Sequence, residues 1–224
     1  MRELKVTGKG KVVAVPDQIV LNIDLNGTEK DYKKAYKQME MATKEARDLF
    51  QGLSFEVKDL KTKKCEVEVS NERKYVEKTG TWEFVFKGYK FVHKMRITFD
   101  KDNKLLGKVL YGLSKCESRP EVNISYTVKD VKSTKNTLLK NAIADSKAKA
   151  AVLAEAAGVT LGDILKIDYS WGEINLSTPV LDSFLDVMRL SDDSDCFEDE
   201  ALDMDIEPED INITDTVTVI WEIQ

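Results

Sequence analysis

The chain has 224 residues, 42% of them hydrophobic and 33% charged, with 34 Lys and Arg against 40 Asp and Glu and a formal net charge of −6. That suffices for one large core or two small ones, and no stretch approaches the ~18 continuous apolar residues of a membrane-spanning helix. A single histidine excludes a multi-histidine metal site within one chain, and Cys65, Cys116 and Cys196, without C-x-x-C spacing, argue against a zinc site or a disulfide framework.

The N-terminal stretch MRELKVTGKG has no apolar segment of the secretory kind, so a cytoplasmic location is expected. Glu3 to Val15 reads as a strand containing Gly8-Lys9-Gly10. A dinucleotide fingerprint requires a helix to follow its glycines. Here Val12-Val13-Ala14-Val15-Pro16-Asp17 continues as strand and turn, so the glycines mark a bulge or a close approach of backbone. Ile19, Leu21, Ile23 and Leu25 then alternate with Val20, Asn22, Asp24 and Asn26, the period of a half-buried strand.

Thr28, with Asp31 three residues on, predicts a capped helix start. Tyr32, Ala35, Tyr36, Met39, Ala42, Ala46 and Leu49 form its apolar face up to Gly52, and helical spacing assigns the two tyrosines to the core. Cys65, Val67 and Val69 alternate with Glu66 and Glu68 in the next strand. A turn at Lys78-Thr79-Gly80-Thr81 leads into Trp82, Phe84 and Phe86 on one face, with Tyr75 near the tip. A projecting hairpin with those rings would need something to cover them, such as another subunit. Phe91, His93, Met95, Ile97 and Phe99 share a face of a long strand. Any Ser-His-Asp or Cys-His mechanism would have to use His93, and its apolar strand face points instead to a structural role.

Asp100 is the expected N-cap of a short helix bearing Leu105, Leu106, Val109, Leu110 and Leu113, followed after Pro120 by the strand Val122, Ile124, Tyr126, Val128. Ser133 to Gly158 is an alanine-rich helix whose predicted stripe is Leu139, Ala142, Ile143, Ser146, Ala150, Leu153 and Ala157. Ser133 fits an N-cap and Gly158 a left-handed stop. Small residues on that stripe let a helix lie close against a sheet. A strand runs on toward Trp171, and Val217, Val219, Trp221 and Ile223 form the last one.

All 34 Lys and Arg, with 27 acids, lie in residues 1–190; residues 191–224 hold the other 13 acids and no base. The acidic block Ser191–Asp210 is expected to be a solvated loop, with an acidic strap over the basic body as the sharper alternative. Asp193 and Asp195 have calcium-like spacing without the glycine of an EF-hand loop.

Three stretches together resemble the SIMPL domain family, a family of unknown function. They are Val6-Thr7-Gly8-Lys9-Gly10-Lys11-Val12 with Val15-Pro16-Asp17, then Gly88-Tyr89-Lys90, and most specifically Ala142-Ile143-Ala144-Asp145-Ser146-Lys147-Ala148-Lys149-Ala150 through Leu153-Ala154 and Gly158-Val159 to Leu161-Gly162. Ile206-Glu207-Pro208 before the last strand is also similar.

The resemblance covers essentially the whole chain and implies one SIMPL-type domain over residues 1–224. Two subdomains, about 1–80 with the strand 211–224 and about 81–175, are the alternative, with 182–210 as an acidic flexible loop. The expected fold is α+β: antiparallel or mixed sheets, helices packed on one face, strand–helix–strand units, and a C-terminal strand returning to the sheet.

The resemblance implies no catalytic, cofactor-binding or metal-binding residues, since the family has no defined active site. Family members are linked to envelope or stress phenotypes, serve as adaptors in some eukaryotes, and self-assemble. The functional expectation is therefore a non-enzymatic, self-associating scaffold or adaptor, stress-related and cytoplasmic. That expectation includes a homo-oligomer with room for a further protein partner, no cofactor and no membrane. An enzyme with a carboxylate/lysine site and a weak nucleic-acid module are the alternatives. The acidic C-terminal block opposes the second of these by repelling phosphate.

Overall fold

The computed structural model describes residues 2–76, 80–169, 176–182 and 206–224. In chain order these form β1 (Arg2–Ala14), β2 (Gln18–Glu29), α1 (Tyr32–Gly52), β3 (Lys61–Val76), β4 (Thr81–Asp100), α2 (Asn103–Ser114), β5 (Glu121–Thr127), α3 (Val131–Ala157), β6 (Leu161–Asp168), β7 (Ser177–Asp182) and β8 (Ile211–Ile223). The α+β class holds, and the C-terminal strand does return to a sheet. Strand β7 was not legible in the sequence.

Two compact units divide the chain, one from Met1–Asp17, Tyr126–Thr178 and Pro208–Gln224, the other from Gln18–Ser125 and Pro179–Glu207. The boundary does not fall at residue 80, because β3 and β4 on either side of that point pair from Lys61↔Arg96 to Val76↔Thr81.

In the second unit the sheet order is β3-β4-β2-β5-β7. Strand β4 runs antiparallel to both β2 and β3, so each strand–helix–strand crossover skips one strand. This is the split β-α-β arrangement of ferredoxin-like folds. Alternation along β2 and β4 buries Ile19, Leu21, Ile23, Leu25, Phe91, Met95 and Ile97. Onto them pack Ala35, Met39, Ala42, Ala46 and Phe50 of α1 and Leu106, Val109, Leu110 and Leu113 of α2.

The first unit holds a three-stranded antiparallel sheet in the order β1-β8-β6, its two long strands paired from Arg2↔Ile223 to Ala14↔Ile211. Helix α3 covers one face with Leu138, Ala142, Ser146, Ala150 and Ala154, one residue every four. This row is rotated from the predicted stripe. Leu139 and Ile143 are only partly buried, and Leu153 is 48% exposed.

The rotation follows from Gly8 and Gly10. A Cβ on Gly8 would lie 2.0 Å from the Ala142 carbonyl oxygen, and one on Gly10 2.1 Å from that of Leu138. The helix backbone thus rests on the bare strand, and the row of smallest residues, not the most apolar one, decides which face turns inward. The expected close approach at the glycines is confirmed.

Each predicted helix start moves. Thr28 pairs with Lys90 inside β2, and Asp31 is the cap of α1, accepting from the Lys34 N–H at 3.1 Å. Asp100 pairs with Gln18, and Asp102 caps α2 at 3.0 Å from the Leu105 nitrogen. Ser133 lies inside α3, and its N–H donates to the true cap, Asp130, at 2.8 Å. For Thr28 and Asp100 the sheet ladder supplies partners that a cap would otherwise need. Gly158 ends α3 with φ 67 and ψ 29, as its sequence context predicts.

The acidic residues 191–205, with Asp193, Asp195 and Cys196, lie outside the described residues, as does Trp171. Where the description resumes, the Asn103 side chain donates to the Ile206 carbonyl at 3.2 Å and Lys101 pairs with Glu207 at 2.7 Å.

Candidate functional site: an aromatic arm

Strand β2 ends at Glu29, opposite Tyr89. Beyond that point β4 has only β3 as a partner, and residues 69–76 and 81–88 form a two-stranded ribbon roughly 25 Å long. Its register shifts between Ser70 and Asn71, where Ser70 faces Gly88 and Asn71 faces Phe86, leaving Lys87 as an extra residue. One extra residue reverses the alternation. Odd-numbered residues of β4 face the helices below the bulge, whereas Phe86, Phe84 and Trp82 take that same face above it. Phe86 accordingly meets Tyr89 edge-on at 5.4 Å. The arm is the core face of the sheet carried past the helices that cover it.

Gly88 makes this possible. Its φ is 155, and a Cβ there would stand 2.5 Å from the Glu29 carbonyl oxygen. Any side chain would collide with the end of β2 at the point where the ribbon departs.

Along the arm Phe84 is 77% exposed, Trp82 57%, Phe86 50% and Tyr75 49%. Tyr75 and Trp82 are cross-strand partners with ring centroids 5.4 Å apart, and the Arg73 guanidinium lies 5.4 Å from the Trp82 ring centre. At the base Tyr32 meets Tyr89 edge-on at 5.5 Å. Tyr32 and Tyr36, assigned to the core from helical spacing, are 50% and 53% exposed. They occupy the first turns of α1, near where the covered sheet ends. Such ring pairs contribute about 0.5–1.5 kcal/mol each, enough to order a ribbon that would be marginal alone.

His93 lies on the apolar strand face to which its spacing assigns it. It is 4% exposed on the helix-facing side of β4. The Thr43 hydroxyl donates to the Met39 carbonyl at 2.7 Å, so it must accept from the imidazole Nδ1–H, also 2.7 Å away. Nε2 is then the bare nitrogen and accepts from the Thr62 hydroxyl at 3.0 Å. Burial lowers the imidazole pKa below its ordinary value, and the Arg47 charge adds to the effect. Both nitrogens are engaged in the neutral form. Cys65 is exposed and Cys116 buried. Among the described residues no three His, Cys, Asp or Glu side chains gather as metal ligands, and no helix is long and apolar enough to cross a membrane.

The motifs at Gly8, Gly10, Gly88 and Ala142–Ala150 therefore each sit at a point where the backbone geometry demands them. The profile of SIMPL, described as a protein of unknown function (DUF541), matches residues 4–221. The chain belongs to the SIMPL family. No curated protein matches it. The SIMPL match runs through both compact units and includes the whole arm.

Sequence reasoning found the ring-bearing hairpin but missed its bulge, whose signal was Gly88 between two aromatic runs of opposite parity. It also missed the roles of Asn141, Asp145 and Lys149. Their spacing of four residues was visible, but their partners, 130 to 142 positions away on β1, were not.

Proposed function

We propose that this SIMPL protein is a non-enzymatic, self-associating scaffold whose contact element is the aromatic arm, docking against the arm of a second copy. The observation that carries the reading is the exposure of Trp82, Phe84 and Phe86 on a face continuous with the buried core. An aromatic side chain buries about 150–250 Å², so four half-exposed rings offer roughly 400 Å² per copy. Two arms meeting face to face would bury about 800 Å², below the ~1,200 Å² at which stable interfaces begin. A single arm pair is therefore a weak, concentration-dependent contact, and a lasting assembly needs further surfaces. A two-fold arrangement lets the same rings serve both copies. The neutral, doubly engaged state of the lone histidine supports a role that does not depend on acid–base chemistry.

Sedimentation velocity across micromolar to submillimolar concentration tests the reading. The wild type is expected to shift reversibly to higher mass, and Phe84→Glu to remain at the monomer mass of 25.4 kDa with an unchanged melting curve. A wild-type chain that stays monomeric throughout refutes the proposal, as does a Phe84→Glu chain that associates normally.

A further inference from the structure

In the order β1-β8-β6, strand β1 is an edge among the described residues. An edge strand of 13 residues offers a row of unpaired N–H and C=O groups to any other strand, which natural proteins must block or use. On β1 the outward groups belong to the odd-numbered residues from Glu3 to Val13, and in the middle of that row stand Thr7, Lys9 and Lys11, whose partners on β8 are Thr218, Thr216 and Thr214. The close Thr7–Thr218 hydroxyl contact, 3.0 Å, is typical of a pair whose backbone groups point away from each other.

Three side chains of α3 reach those groups. The Asn141 amide donates to the Lys11 carbonyl at 3.0 Å, the Asp145 carboxylate accepts from the Lys9 N–H at 2.7 Å, and the Lys149 ammonium donates to the Thr7 carbonyl at 3.4 Å. Lys149 also pairs with Asp145 at 2.7 Å. The side chains recur every four residues along the helix, so they descend one face as the strand groups ascend the edge in steps of two. Donor meets acceptor at each position. One of the two outward groups on each of the three strand residues is thereby taken. Asn and Asp side chains are short, and they reach the strand because Gly8 and Gly10 let the helix backbone touch it.

We propose that Asn141, Asp145 and Lys149 form a polar cover that closes the central stretch of the β1 edge, Thr7 to Lys11, to strand addition by a second copy of this chain. The SIMPL motif Ala142–Ala150 then combines two tasks: its small residues seat the helix, and Asp145 with Lys149 seal the strand. The cover is independent of the aromatic arm. It keeps backbone pairing through Thr7 to Lys11 out of whatever assembly the protein forms.

The test uses the full chain carrying Asn141→Ala, Asp145→Ala and Lys149→Ala, in the wild-type background and with Phe84→Glu to remove the arm. Alanine is the best helix former, so α3 should remain intact. Salt high enough to screen Lys5, Lys9 and Lys11 prevents their like charges from masking the effect. The expected result is a folded chain by circular dichroism whose mass rises with concentration in both backgrounds. Its Thr7, Lys9 and Lys11 amides should exchange freely when dilute and become protected at high concentration. A folded variant that keeps the mass of its parent, or associates without protection at those three amides, overturns the proposal. Should the triple variant fail to fold, Asp145→Ala alone must show the same concentration-dependent protection, weaker but centred on Lys9, and its absence equally overturns it. Asp145→Asn, which keeps an acceptor for the Lys9 N–H, should behave as wild type.

Discussion

Replacing Gly8 by Ala tests the seating of α3 on β1 most directly. The new Cβ would stand 2.0 Å from the Ala142 carbonyl oxygen, 2.6 Å from the Ser146 nitrogen and 2.8 Å from the Ser146 Cβ. Two of these are backbone atoms of a helix and cannot swing aside. Ordinary contact requires about 3.5 Å, so the helix must retreat by more than 1 Å along its central turns. Overpacking strain of this kind costs about 1–3 kcal/mol. Retreat also lengthens the Asn141 and Asp145 bonds to the strand, each worth about 0.5–1.5 kcal/mol. The expected loss is roughly 2–5 kcal/mol, a large part of a domain's typical 5–15. With a urea m-value of about 2 kcal/mol/M, the unfolding midpoint should fall by roughly 1–2.5 M. The control is Gly52→Ala at the end of α1, where nothing lies within 4 Å of the added Cβ and φ is not positive. That change should be neutral or stabilising by up to about 1 kcal/mol. Urea unfolding followed by circular dichroism measures both. An unchanged midpoint for Gly8→Ala, or equal losses for the two variants, would refute the account of how the helix is seated.

Gly158→Val should lower stability by roughly 1–2 kcal/mol, because a β-branched residue must hold φ 67 while meeting no steric obstacle beyond its own backbone; an unchanged urea midpoint contradicts this reading of the helix stop. His93 has its pKa lowered by folding, so the unfolded chain binds more protons than the folded one between that lowered value and about 6.5. The stability it contributes is complete above about pH 6.5 and is lost as pH falls through this window. His93→Gln should flatten the dependence, and identical pH profiles for the two chains would show that other groups cause it. Gly88→Val should strain the bulge and strip the arm of its fixed direction, weakening self-association more than global stability; concentration-dependent sedimentation with a parallel melting curve distinguishes the two.

Much of this architecture was legible before any coordinates. Period-two alternation located β2, the buried half of β4, β5 and β8, and period 3.6 located all three helices, since these patterns depend only on which side of an element meets water. Gly8-Lys9-Gly10 was read as a bulge or a close backbone approach because the residues after it continue a strand, and the unbroken register with β8 leaves the second. Gly158 was read as a stop because the apolar pattern ends there. Helix starts were misplaced by up to one turn at Asp31, Asp102 and Asp130, where neighbouring Thr28 and Asp100 are drawn into the sheet by partners invisible along the chain.

Tertiary structure alone settled the features that give the protein its surfaces. The rotation of α3 depends on which residues can touch a bare strand, not on which are most apolar. The burial of His93 and the exposure of Tyr32, each placed on an apolar face by its own local pattern, differ because one lies beneath α1 and the other beside the end of the covered sheet. The arm exists as an arm because β2 stops at Glu29 while β3 and β4 run on, and the bulge at Lys87 keeps its rings on the core face. Pairing partners separated by long stretches of chain set all of these, and a local pattern carries no record of its distant partner.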